Sequence, residues 1–269
     1  MLRHLAPHGP EACGGRRGCP RRLTLRVRAA TAGCRARDRR YHAGVDRQPG
    51  PDASEAVLRG AICAAGRRLA ARGLISAAEG NLSVRLAGGA LLTTPAGRRK
   101  DELGPDDLAI VPLDPGTGPP PSGPRPSSDI AIHRAIHAAR PDVVAVAHAH
   151  LPVSMALTLA GEVPDPSALP ETAHHLPVLP LVAFGEMGSA ELAARVAAAL
   201  APARPPLPGA VLLERHGAIA VGTAAAGDRD PSALEAALVQ AVDRLELVDV
   251  LCRVWRDAIL LRAARRGSV

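Results

Sequence analysis

Three histidines stand in two short stretches where imidazole could reach a common ion: His148 and His150 in the run VVAVAHAH, and His216 in LLERHG. The first run is apolar and β-branched, so it reads as a buried strand. Residues two apart on a strand point to the same face, which lets His148 and His150 converge on one ion. The same pattern also fits two ordinary histidines at a strand end. His216 follows a second apolar strand, where it reads as a third nitrogen donor or as a turn residue. Three imidazoles with an open fourth position would make a catalytic metal site rather than a closed structural one.

A carboxylate comes from Pro126-Ser127-Ser128-Asp129, ahead of a helical pattern running to Ala139. A helix start presents free N–H groups and a positive dipole end, which suit phosphate, and the serine hydroxyls add donors. Ser127 or Ser128 is expected to cap this helix. Asp129 reads, by itself, as an acidic residue favoured by the dipole. His133 and His137 follow on the same face and are expected to support the site or to be exposed. Gly80-Asn81-Leu82-Ser83 and Thr94-Pro95-Ala96-Gly97 are tight segments beside strands, where amides form an anion nest or an ordinary turn. Arg98, Arg99 and Lys100 follow, read as a solvated charge run or, second, as contacts to a phosphate, and Lys100 is the only lysine among 33 basic residues.

The elements that must hold these groups alternate. A helix capped by Asp52 or Ser54 carries Val57, Ile62 and Leu69 on one face and stops at Gly73. Strands are expected over 81–86, 90–95, 108–113, 143–148, 179–184, 210–213 and 218–221. Helices are expected over 152–159, from a Ser189 cap to about Leu200, and, as one long helix or two, from Pro231 to about Ala264. Interleaved strands and helices give an α/β or α+β class with a central sheet.

Composition narrows the function. The chain has 269 residues, 47% hydrophobic and 22% charged, enough for a real core. Its three aromatic residues are Tyr41, Phe184 and Trp255, so the core is aliphatic and ring platforms for single-stranded nucleic acid are lacking. Residues 1–50 hold 12 arginines against Glu11, Asp38 and Asp46, whereas residues 51–269 hold 21 basic and 23 acidic residues. The basic excess is therefore confined to the N-terminal segment, read as a disordered extension or a mis-translated leader. The near-neutral body gives no electrostatic reason to expect nucleic acid or anionic membrane. Cys13, Cys19, Cys34, Cys63 and Cys252 form no disulfide framework. Without a convincing membrane span or secretory signal, the expected compartment is the cytoplasm.

Taken in order, six segments resemble the class II aldolase/adducin family: GNLSVR (80–85), LLTTPAG (91–97), PSSDIAIH (126–133), RPDVVAVAHAH (140–150), LPETAHHLPVLPLVAFGEMGSAEL (169–192) and LLERHGAIAVG (212–222). The resemblance covers about 52–262, so the chain divides into an extension over 1–50 and one aldolase/adducin-like domain over 51–269. It implies a single three-layer α/β/α domain with a largely antiparallel sheet, usually in a homotetramer. It implies Zn2+, with Mn2+ or Co2+ as substitutes, on His148, His150 and His216. Asn81, Gly97, Ser127 and Ser128 match phosphate-binding positions, and Asp129 matches the catalytic acidic residue. The implied activity is that of a metal-dependent lyase: an aldolase cleaving a small sugar phosphate through a metal-stabilised enediolate. A 4-epimerase, dehydratase or decarboxylase of the same family is the alternative, and a non-catalytic adducin-like interaction module the rival. Family aldolases and epimerases use a tyrosine as acid, and this chain has none after Tyr41; His174 or His175 stands as a substitute donor. The segment Phe184–Gly188 replaces a Pro-Gly-Thr-like turn, and Ala96 offers no hydroxyl to a phosphate.

Overall fold

The computed structural model describes residues 53–266 apart from position 226. The Arg-rich segment 1–50, with Cys13, Cys19, Cys34 and Tyr41, and the Asp52 cap lie outside the described residues. The chain runs through helix α1 (Ala53–Ala71), strands β1 (Asn81–Arg85), β2 (Ala90–Thr93) and β3 (Ala109–Pro112), helix α2 (Ile130–Ala139) and strand β4 (Val143–Ala149). Helices α3 (Pro152–Leu159) and α4 (Pro170–His175) follow, then β5 (Leu181–Val182), α5 (Ala190–Leu200), β6 (Ala210–Leu213), β7 (Gly217–Thr223) and α6 (Pro231–Arg266).

The seven strands form one sheet in the order β3-β2-β1-β4-β7-β6-β5. Neighbours are antiparallel except the β5–β6 pair, which is parallel. Side chains alternate across it as the period of two requires. Leu82, Val84, Ala145, Ala147, Ala218 and Ala220 face a core shared with α1, α3 and α6. Val146, Val211, Ile219 and Val221 face a second core with Ile132 and Ile136 of α2 and Leu192 and Val196 of α5. Helices thus cover both faces in the expected three layers. On the first face β7 is small-residue backbone, and α6 lies so close that a Cβ on Gly222 would stand 1.7 Å from the Ala237 carbonyl oxygen.

The structure moves several expected features. On α1 Ile62 and Leu69 are buried as expected, while Val57 is exposed and Leu58 takes its place in the stripe. Strand β5 shrinks to two residues. Helix α4 was not expected at all, and one unbroken helix of 36 residues closes the chain. Neither Ser127 nor Ser128 caps α2: Asp129 occupies the N-cap position and makes no side-chain capping bond, whereas Ser189 does cap α5 by accepting from Leu192 N–H. The Pro/Gly-rich loop after β3 folds back, pairing Ile110 with Ser122 through two backbone hydrogen bonds of 2.9 Å. Among the described residues no helix is long and apolar enough to cross a membrane.

Candidate active site

Antiparallel pairing places Ala149, at the end of β4, opposite Ala218 of β7. The β6–β7 turn that carries His216 must therefore pass against the end of β4. Gly217 makes this possible: its φ is +120°, and a Cβ there would sit 2.2 Å from the Ala149 carbonyl oxygen. Arg215 takes a positive φ of 59° beside it. His148, His150 and His216 meet with ring centroids 4.8–4.9 Å apart.

The ring nitrogens of these three are arranged as lone-pair donors. His148 Nδ1–H donates to the Ala218 carbonyl at 2.9 Å, which leaves Nε2 as the free lone pair. His150 Nε2 stands 3.1 Å from that atom. Two ligands of a tetrahedral zinc stand about 3.3 Å apart, given Zn–N bonds near 2.05 Å. His216 Nε2 is buried and has no hydrogen-bond partner. One ligand atom from each residue lies within 4.8 Å of the others. Burial, then the neighbouring His150 and His216, hold the His148 imidazole well below its ordinary pKa. Burial and His150 likewise lower His216, against the pull of Asp129. The free lone pair on His148 Nε2 and the orphaned His216 Nε2, with His150 beside them, fit a divalent metal ion.

Beside them Asp129 is 3% exposed, with Oδ2 at 3.9 Å from His148 Nε2. Its carboxylate is held by a directional chain. Ser83 O–H donates to His133 Nδ1 at 2.7 Å, His133 Nε2–H donates to Asn81 Oδ1, and Asn81 Nδ2–H donates to Asp129 Oδ2 at 2.9 Å. Burial pushes His133 down to about 3, with His137 adding to the shift, so the ring stays neutral. Asp129 Oδ1 is buried and unpartnered. A carboxylate with one oxygen fixed and one free can accept a proton from a bound molecule.

Asn81 and Asp129 line a cleft of about 290 Å³ with Glu79, Gly97, Lys100, Ser127, Ser128, His150 and Met187. All four matched phosphate positions, Asn81, Gly97, Ser127 and Ser128, are therefore brought to one cavity with Asp129. Ser127 is buried and its Oγ accepts from Asp129 N–H at 3.3 Å, while Ser128 is exposed. Glu79 Oε1 lies 3.6 Å from His150 Nδ1.

Three residues were misjudged or missed. Lys100 is not solvated: it is 2% exposed, and its ammonium donates to the carbonyls of Ala78 and Arg98. Ser83 and Glu79 were missed, though Ser83 follows Asn81 by two on the same strand face. His174 and His175 form an exposed edge-to-face pair on α4. His175 borders a separate, larger cavity of about 630 Å³ against α6 rather than the histidine cleft. His133 and His137 are both buried, not exposed.

The chain is similar to known proteins. The family described as "Class II Aldolase and Adducin N-terminal domain" matches residues 60–255. A 5-methylthioribulose-1-phosphate/5-deoxyribulose-1-phosphate aldolase of Rhodospirillum rubrum is 35% identical over 76% of this chain and 82% of its own length. A 3-oxo-tetronate 4-phosphate decarboxylase of Cupriavidus necator is 32% identical over 75% of this chain and 85% of its own. The crystal structure of an L-fuculose-1-phosphate aldolase from Thermus thermophilus is similar with a TM-score of 0.65 and 33% identity, covering 78% of this chain and 97% of that one.

Proposed function

The chain belongs to the class II aldolase and adducin family, and from that premise we propose that it is a metal-dependent lyase cleaving a small sugar phosphate. The observation that carries the reading is the Asp129 carboxylate, with one oxygen unpartnered, beside three clustered imidazoles. His148, His150 and His216 hold the metal ion. A divalent ion there supplies positive charge to the carbonyl and hydroxyl oxygens of the substrate as negative charge develops on them. We take zinc as that ion, since neutral imidazole nitrogen suits it, with manganese or cobalt as substitutes.

Asp129 moves the proton. In cleavage its free Oδ1 takes the proton of the hydroxyl on the carbon that leaves as the aldehyde and delivers a proton to the carbon next to the carbonyl left behind; bond formation runs the same transfers in reverse. The Ser83–His133–Asn81 chain keeps Oδ2 occupied, so that the free oxygen does not rotate away. Asn81, Gly97, Ser127 and Ser128 bind the phosphate, using remote binding energy to hold the reacting carbons in place. A homotetramer in the cytoplasm and a dispensable segment 1–50 complete the reading.

Mass spectrometry of zinc-loaded protein with 5-methylthioribulose 1-phosphate tests it. Two fragments from one substrate support cleavage. Loss of water alone turns the assignment to a dehydratase, and no reaction with this or other sugar phosphates refutes it. Elemental analysis of His148→Ala and His216→Ala checks the metal: both are expected to purify nearly empty, and full retention counts against the three-histidine site.

A further inference from the structure

The geometry points to Lys100 as the cation that receives the substrate's anionic group, a phosphate monoester, in the cleft that holds Asp129. The inference rests on the function proposed above and adds to it the charge that the matched phosphate positions lack. Asn81, Gly97, Ser127 and Ser128 are all neutral, and the other charged side chains lining the same cleft, Glu79 and Asp129, are acidic. A phosphate dianion entering between two carboxylates needs a compensating cation at hand. Neighbouring arginines are engaged elsewhere: Arg98 with Asp107 at 3.3 Å, and Arg99 with Asp101 and Glu102 at 2.7 and 2.9 Å.

Lys100 is built into place. Its carbonyl packs on α1 where a Cβ on Gly66 would stand 2.4 Å away, so the backbone approaches the helix as closely as only glycine permits. The side chain is buried, and two of its three N–H groups go to the Ala78 and Arg98 carbonyls. The third is left for the cleft. A compact tetrahedral ammonium can make this three-way contact, whereas a planar guanidinium would not. In a chain that uses arginine for every other basic residue, the single lysine stands here. Burial draws its pKa down to about 8, against the pull of Asp129 and Glu79, the charged groups that face it. An arriving dianion would oppose that burial effect.

Calorimetric titration of the zinc-loaded full-length protein with glycerol 3-phosphate, and with glycerol as the uncharged control, tests the assignment. Lys100→Gln removes the charge but keeps N–H donors for the two carbonyls. It is expected to weaken glycerol 3-phosphate binding about ten- to a hundredfold at neutral pH, as loss of a charge-assisted bond does, while Arg99→Gln leaves it unchanged. In the unaltered protein the affinity is expected to fall as pH rises through about 8, and this fall disappears in Lys100→Gln. If Lys100 only ties two loops together, Lys100→Gln binds the ester as well as the parent and the proposal is overturned. It is equally overturned if the parent's affinity is flat from neutral pH to about 9.5, well above the pKa invoked, an outcome that remains readable should Lys100→Gln fail to fold. Turnover is not the readout here. A protein inert toward every sugar phosphate would sink the lyase assignment yet leave this anion site standing, whereas unchanged binding in an active Lys100→Gln enzyme would sink the anion site alone.

Discussion

The two faces of the sheet solve different problems with the same strands. Toward α1, α3 and α6 the strands present leucine, valine, alanine and glycine, and the layer closes by near contact of backbones at Gly222 and Ala237. Toward α2 and α5 the middle is aliphatic, but the end of the sheet nearest the histidines is polar: Ser83, Asn81 and His148 lie on this face and meet His133 and Asp129. One face secures the fold by shape, the other spends part of its interior on directional hydrogen bonds. Stability and chemistry are thereby separable by substitution.

The sharpest way to break that division is Gly222→Val. The added side chain has no room against α6, and loss of about 4 kcal/mol or more is expected, read as failure to purify folded protein. Asp129→Asn should do the reverse: thermal unfolding and metal content stay near those of the parent, and turnover falls about a hundred- to ten-thousandfold. If metal is lost as well, Asp129 is a ligand and the division is wrong at that residue.

Acid should weaken the α2 face selectively. Burial pushes His137 from 6.5 down to about 4, the Val143 carbonyl resisting. The unfolded chain then takes up a proton that the folded state refuses as pH falls below 6.5, so stability is lost between these values. His137 alone accounts for roughly 3 kcal/mol across that window. Urea midpoints at pH 7 and about 4 measure it, and His137→Gln should shrink the difference by that share, leaving what buried His133 and His148 contribute. A gentler probe is Ser83→Ala, which leaves His133 Nδ1 without its donor. Stability should fall by about 1–2 kcal/mol and kcat about tenfold, with KM nearly unchanged. Removal of residues 1–50 should change neither metal content nor activity.

How far the sequence could be read follows the same division. The sheet was legible because its strands are short apolar runs bounded by glycine and proline, and His148 and His150 because H-x-H has the period of a strand; His216 showed only as the residue after a second apolar run. In α1 Ile62 and Leu69 were read correctly, but of the adjacent apolar pair Val57 was taken for the buried position that Leu58 holds. Helix α4 and the shortness of β5 depend on the 169–182 segment packing on neighbours far away in the chain, which no local pattern records. In the site, Asp129 and Asn81 stood out by motif, but their direct hydrogen bond, and the bond of Asn81 to His133, join residues about fifty positions apart. Lys100 misled because two adjacent arginines made it look like surface. What buries it is the approach of its loop to Gly66, a tertiary fact.

The return of the 114–126 loop onto Ile110 has a consequence beyond the cleft. A bare outer strand offers its peptide groups to any other chain and can seed fibres. Here one rim of the sheet is occupied by the molecule's own proline-rich segment, and the opposite rim, two residues long, is too brief to recruit a stranger. Such a protein can be concentrated, or gather in copies side by side, without its strands joining end to end into an insoluble ribbon.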